Sequence, residues 1–269
     1  MDFGIFKAFF SSLLDSLDII SRLDPHSYTI MLYAFLYGIA TGSFVTMASY
    51  RIPLGQDLIF KPSYCPKCHS KVGAIGLIPV FSWLIQRGKC RNCKSKISLR
   101  YPLIELSLGL TFCLIVYLYG LTLNTLLLLL LASELLILIV TDLEHYIIPD
   151  SIQIALLVTG LSYRIHSGSE LTDIFTTSIF GLSIGLLLHY GYLYLRKKDA
   201  LGLGDVKFLG VAGVWLSFTS FVPFLFIAGV IGTLTGLLWR VLKRGEAFPF
   251  APALAISLLI NVLFPYIMG

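Results

Sequence analysis

The sequence predicts an all-α polytopic membrane protein with about eight transmembrane helices and one sizeable hydrophilic segment. Three observations predict it. Of the 269 residues, 57% are hydrophobic and only 13% are charged, against about 25% charged in an ordinary soluble domain. The apolar residues fall in runs of the length a spanning helix needs, about 17 to 25 residues. The basic residues are clustered: ten of the 20 Lys and Arg lie in 51–100, four in 196–207 and three in 240–244.

The apolar runs place spans near 28–50, 102–119, 121–141, 148–165, 172–195, 206–218, 220–240 and 249–268. Basic loops stay in the cytoplasm. That rule puts 51–101, 142–150, 196–205 and 240–248 on the inner side and both termini outside. The expected organisation is an interfacial segment over 1–27, an N-terminal region over 28–120 and a second transmembrane domain over 121–269. The net charge of +5 then reflects topology. Nucleic-acid binding would need a basic soluble face, which only 51–100 offers. Its small size and membrane tether argue against that partner, so the bilayer is expected and nucleic acid is not.

Residues 1–24 carry Phe3, Phe6, Phe10, Leu13, Leu17 and Ile20 at spacings of three and four. This is the pattern of an amphipathic helix lying in the interface. The stretch has no basic start and no small-residue cleavage site, so no signal peptide is expected. The first span ends in Gly42-Ser43-Phe44 and continues to Arg51 and Pro53. Small residues here suit close helix packing, and Arg51 is placed to reach headgroups or a nearby acid.

The hydrophilic segment 51–101 holds Cys65-Pro-Lys-Cys68 and Cys90-Arg-Asn-Cys93, separated by 21 residues. Each CxxC turn can place two thiolates on one tetrahedral ion. The linker is slightly longer than the usual 15 to 20 residues. Lys67, Lys89, Arg91 and Lys94 favour thiolates, and a reducing compartment disfavours disulfides. The expectation is a structural zinc ion on Cys65, Cys68, Cys90 and Cys93, holding a segment too small for a core of its own. Redox-active or free thiols are the alternative. Cys113, inside an apolar run, reads as packing.

Beyond this segment, Pro102 fits a first helical turn. Glu105 either favours that helix N-terminus or belongs to a site near the membrane face. Glu134 and His189 lie inside spans and read as satisfied polar contacts. Gly181/Gly185 and Gly232/Gly236 form GxxxG spacings that suit helix packing.

Between the third and fourth spans stands Asp142-Leu-Glu144-His145-Tyr-Ile-Ile-Pro149-Asp150, and before the sixth stands Gly202-Leu-Gly204-Asp205. Carboxylates at the bilayer face are costly unless they meet water or a polar cavity. Asp142 and Asp205 both fall on the inner side. If they meet, one acid stays protonated while the other remains a base, which is an aspartic protease pair. Gly202 and Gly204 leave room for a substrate backbone beside Asp205. Asp150 sits in a first turn, and Glu144 is a supporting partner or simply solvated. No nucleophile accompanies His145 or His189.

This set of motifs resembles the type IV prepilin peptidase family. The resemblance covers about 38–252: Gly42-Ser43-Phe44 with Arg51 and Pro53, both CxxC pairs, Ser82-Trp83 with Arg87-Gly88-Lys89-Cys90, Arg100-Tyr101-Pro102 with Glu105, Asp142 to Asp150, Gly202 to Lys207, and Phe248 to Pro252. It implies an inner-membrane enzyme that cuts the basic leader from type IV prepilins or type II secretion pseudopilins, then methylates the new N-terminus with S-adenosylmethionine. It implies catalysis by Asp142 and Asp205, supported by Glu144, Asp150, Gly202, Gly204 and Lys207. Gly42, Arg51 and Glu105 become methyltransferase candidates. Two departures stand out. Thr46 occupies a position where the family commonly has Asn, and Ala251 one where it usually has Gly. A presenilin-like GxGD protease and a transporter with a zinc-bound regulatory loop are the competing readings; the cysteine segment and the 142–150 motif disfavour the first.

Overall fold

The computed structural model describes residues 25–60, 62–196, 201–242 and 248–265. The expected amphipathic stretch over 1–24 lies outside the described residues, as do Lys197, Lys198, Lys243 and Arg244. The described chain is helical: α1 Pro25–Arg51, α2 Phe81–Ile85, α3 Arg100–Tyr119, α4 Leu123–His145, α5 Asp150–His166, α6 Leu171–Arg196, α7 Leu203–Trp215, α8 Phe218–Val241 and α9 Ala251–Leu263.

Helix ends follow local chemistry. Gly120 turns the chain between α3 and α4 at φ +66°, a conformation glycine adopts without Cβ strain. Thr122 caps α4 by accepting from the Thr125 N–H, and Ser217 caps α8 by accepting from the Ser220 N–H. Tyr146 ends α4 in the left-handed region, with its N–H on the Asp142 carbonyl at 2.9 Å.

Helices near all eight expected spans are present, but among the described residues five are long and apolar enough to cross a membrane. These are Ser27–Arg51, Arg100–Tyr119, Leu123–His145, Leu171–Leu195 and Phe218–Val241. Helix α5 has 17 residues, and α7 and α9 have 13 each. Thirteen residues rise about 20 Å, short of a hydrocarbon core of about 30 Å. Helix α7 is as short as its run over 206–218 but lies three residues earlier, because the run takes in the turn at Leu216–Ser217, and α5 begins only after Pro149. Helix α7 is sheltered by protein, with Val206 and Phe208 to Trp215 all buried.

Two packed units share one core. Helix α1 lies along α3, α7 lies along α6 and against α5, α4 touches α1, α3 and α5, and α9 packs on α8 and α4. The expected helix packing occurs at Gly181 and Gly185, against α7, whereas Gly232 and Gly236 instead receive the rings of Phe250 and Phe248 from the segment before α9. A Cβ on Gly181 would fall 2.3 Å from the Leu209 carbonyl oxygen, and one on Gly232 would fall 2.4 Å from the Phe250 ring. Trp215 fills the notch left by Gly160 and donates to the Leu156 carbonyl at 2.8 Å, tying α7 to α5. Glu134 accepts from the Thr159 hydroxyl at 2.9 Å, and His189 Nδ1 lies 2.7 Å from the Leu201 carbonyl oxygen. Both are satisfied contacts between elements.

Candidate active site and cysteine cluster

The stretch 142–150, expected as a loop between spans, is half helix. Asp142 to His145 form the last turn of α4, and only Tyr146 to Pro149 leave it before α5 begins at Asp150. Asp142 is 6% exposed. Its Oδ2 accepts from the Ala251 N–H at 3.0 Å. Ala251 opens α9, so this N–H has no partner within its own helix, and the helix N-terminus favours a carboxylate there. Helix α7 likewise starts earlier than expected, at Leu203, which puts Asp205 in its first turn.

Asp142 and Asp205 line one cleft of about 310 Å³. Among the described residues, Asp205 Oδ1 is buried and has no hydrogen-bond partner. Gly202, Gly204, Asp150 and Lys207 line the same cleft, with Tyr146, Ile147, Ile148 and Leu203. A Cβ on Gly204 would meet Ile148 at 3.2 Å, and one on Gly202 would meet Asp205 Oδ2 at 3.3 Å. The room left by both glycines is used by the chain itself rather than held open. Lys207 Nζ pairs with Asp150 Oδ1 at 2.8 Å, and both side chains are exposed.

Glu144 stands apart from that cleft lining. It forms an ion pair with Arg100, the first residue of α3. Gln153, in the first turn of α5, donates to the Gly204 carbonyl at 3.3 Å. Neither contact is visible in the sequence, since 44 and 51 residues separate the partners.

The methyltransferase candidates lie where α1, α3 and the cysteine segment meet. A Cβ on Gly42 would fall 2.7 Å from Glu105 Cα, so Gly42 lets α1 and α3 touch. Arg51 is buried, and its hydrogen bonds among the described residues go to backbone carbonyls rather than to an acid. It donates to the carbonyls of Asp57, Leu58 and Pro62 at 3.0, 3.4 and 3.5 Å. Glu105 Oε2 accepts from the Val80 N–H at 2.6 Å. Val80 has φ +60°, costly for a β-branched residue. Glu105 thus fastens a strained turn of the cysteine segment onto the helices.

The four cysteines converge, with all Sγ atoms within 4.8 Å of one another. Cys65 and Cys93 stand 3.9 Å apart, and Cys68 and Cys90 4.0 Å. Four sulfurs around one zinc at about 2.3 Å lie about 3.8 Å from each other, so the set fits a tetrahedral ion. The two halves repeat. Cys-x-x-Cys-x-Ser-Lys occurs at 65–71 and 90–96. The Ser70 and Ser95 hydroxyls lie 3.0 and 3.1 Å from Cys68 and Cys93 Sγ. His69 and Lys94 both turn the chain at positive φ. The cysteine spacing alone does not point to the serines, but the recurrence of the seven-residue pattern does. Backbone N–H groups of Cys68 and then Lys67 hold the Cys65 thiol down to about 6. At Cys90 the N–H groups of Cys93 and Asn92 act the same way, but burial and the Cys65 and Cys93 sulfurs push it up. Four clustered thiols resist shedding every proton without a cation among them.

Known proteins place this arrangement. Residues 36–119 match the bacterial peptidase A24 N-terminal domain, and residues 129–237 match the type IV leader peptidase family. The prepilin leader peptidase/N-methyltransferase of Neisseria gonorrhoeae is 33% identical over 263 residues, spanning 88% of this chain and 91% of its own. That of Pectobacterium carotovorum subsp. carotovorum is 32% identical over 248 residues, 82% of this chain and 88% of its own. That of Dickeya chrysanthemi is 30% identical over 278 residues, 92% of this chain and 98% of its own. No solved structure matches significantly. The chain, a multi-helix membrane protein with paired aspartates in one cleft, belongs to the type IV leader peptidase family.

Proposed function

We propose that this chain removes the basic leader of type IV prepilins or type II secretion pseudopilins at the cytoplasmic face of the inner membrane, and then N-methylates the new terminus. The observation that carries this reading is that Asp142 and Asp205, 63 residues apart in the sequence, line one cleft. One carboxylate takes a proton from water, and the water oxygen adds to the scissile carbonyl carbon. The other, protonated, gives its proton to the carbonyl oxygen. When the tetrahedral intermediate collapses, the C–N bond breaks and the amine leaves with a proton. Asp150, Lys207, Gly202 and Gly204 shape the cleft, and Glu144 steadies the turn that carries Asp142.

The bilayer assists this chemistry. A prepilin held by its apolar helix presents its leader at the inner interface, which supplies part of the positioning a reaction needs. The basic segments of this chain mark that side as cytoplasmic. The helix ends bearing Arg100, Glu144, Asp150, Lys207 and Ala251 gather at one end of the bundle. In this reading α5, α7 and α9 complete eight crossings, the short ones shielded from lipid by their neighbours. The 121–269 part is the peptidase domain, and the 28–120 part carries methyl transfer and the zinc.

For methyl transfer, Glu105 fits the donor's chemistry best: it is a buried carboxylate suited to lie near a sulfonium cation. S-adenosylmethionine would supply the methyl group, with Gly42, Arg51 and Glu105 as candidate residues around it. Mass spectrometry of a prepilin co-expressed with the chain tests both activities. The expected product lacks its leader and carries the mass of one added methyl group. A prepilin that keeps its leader contradicts the proposal, and a trimmed but unmethylated one removes the second activity.

A further inference from the structure

We infer that Arg100 is a positioning residue for the peptidase site, acting through Glu144; this rests on the reading that Asp142 works in that site. Arg100 begins α3, in the N-terminal region, and lies outside the aspartate cleft lining. Its guanidinium is nevertheless engaged on three sides. Nε pairs with the Glu144 carboxylate. One terminal nitrogen donates to the Thr46 carbonyl at 3.2 Å, and the other to the Ser49 hydroxyl at 2.8 Å. Ser49 is fully buried on α1. The rigid guanidinium fork therefore joins the end of α1, the start of α3 and the last turn of α4.

That last turn is where Asp142 sits, two residues before Glu144. Its continuation is only the Tyr146 cap, so nothing downstream within α4 holds it. Asp142 itself has one described anchor, the Ala251 N–H. The Arg100–Glu144 pair supplies a second brace, from the opposite side in sequence. The side chains are 19% and 34% exposed, so the pair is sheltered more than an ordinary surface ion pair. Arginine suits this work because a planar fork can satisfy several acceptors at once. Leu103, Leu108 or any other α3 side chain offers no such charge to α4's end.

The test measures kcat and KM for prepilin cleavage by the purified full-length protein, with Arg100→Leu, Glu144→Leu, the double variant and Arg100→Lys. Arg100→Leu and Glu144→Leu should each lower kcat about tenfold or more, the scale set by small misplacement of a catalytic group. KM should change less than about twofold. The double variant should be no worse than the poorer single one, because both remove the same brace. Arg100→Lys should fall between, near a threefold loss, since one charge contact survives. An unchanged kcat in Arg100→Leu overturns the inference. So do multiplying losses in the double variant, or lost methylation with normal cleavage. If Arg100→Leu does not accumulate, Arg100→Lys decides alone: lowered kcat with unchanged KM supports the brace, and wild-type kcat overturns it. Failure of the unsubstituted protein to cleave prepilin would instead overturn the peptidase reading itself.

Discussion

Asp142→Asn and Asp205→Asn, made separately, should each abolish leader cleavage while leaving the helical fold intact. The pair works only if one member accepts a proton and the other donates one. An amide at either place does neither, and loss of general acid–base catalysis costs on the order of 10²–10⁴-fold in rate. The substitution is otherwise mild. Asparagine has nearly the same size, and an amide oxygen at 142 can still accept the Ala251 N–H at the head of α9. Asp205 has a buried oxygen without a partner, so an amide there breaks no hydrogen bond to that atom. The measurement is cleavage of a purified prepilin by each variant, read beside its circular dichroism spectrum. Normal processing by either variant would show that its carboxylate is not one of the pair.

Removal of metal should unfold the segment between α1 and α3. Within 62–98, among residues whose burial is described, only Cys65, Val80, Gly88 and Cys90 are buried. A segment with so small a core has little hydrophobic stabilisation to hold it. Structural zinc contributes on the order of 10–16 kcal/mol in comparable peptides, so an ion bound by the four cysteines would be the larger stabilising element here. Elemental analysis of the purified protein should find about one zinc per chain. A strong chelator should release it, expose four reactive thiols and open the segment to protease. The long helices should persist, because their core is built from other residues, while α2 should be lost with the segment. A protein purified without metal, yet with this segment resistant to protease, would contradict the account.

Much of the fold was legible because apolar runs and helix position coincide. The run over 206–218 matches the length of α7 but not its place, since composition does not register where a short helix stops. Trp215 ends α7 because Leu216 turns into extended backbone, although both residues are as apolar as those before them. The turn 142–145 was read as loop from its charges. In the structure those charges are held: Asp142 by the head of α9, and Glu144 by the head of α3. That Asp142 and Asp205 share a cleft, and that the four cysteines converge, follows the motifs, because paired acids and paired CxxC turns each suggest a meeting in space. Arg100, Ala251 and Gln153 were not legible, because their roles lie in contacts between distant parts of the chain. A backbone N–H such as that of Ala251 carries no signature in sequence at all.

The account rests on two carboxylates flanking one reacting carbon. Its most direct test is binding of a leader-junction peptide whose scissile amide is replaced by a hydroxyl-bearing tetrahedral mimic. Such mimics bind on the order of 10²-fold or more tighter than substrate when catalytic groups surround them. The unsubstituted protein should hold the mimic far more tightly than the parent peptide, and Asp142→Asn and Asp205→Asn should each lose that advantage. Retention of tight binding by either variant would place its aspartate away from the reacting carbon and contradict the pair.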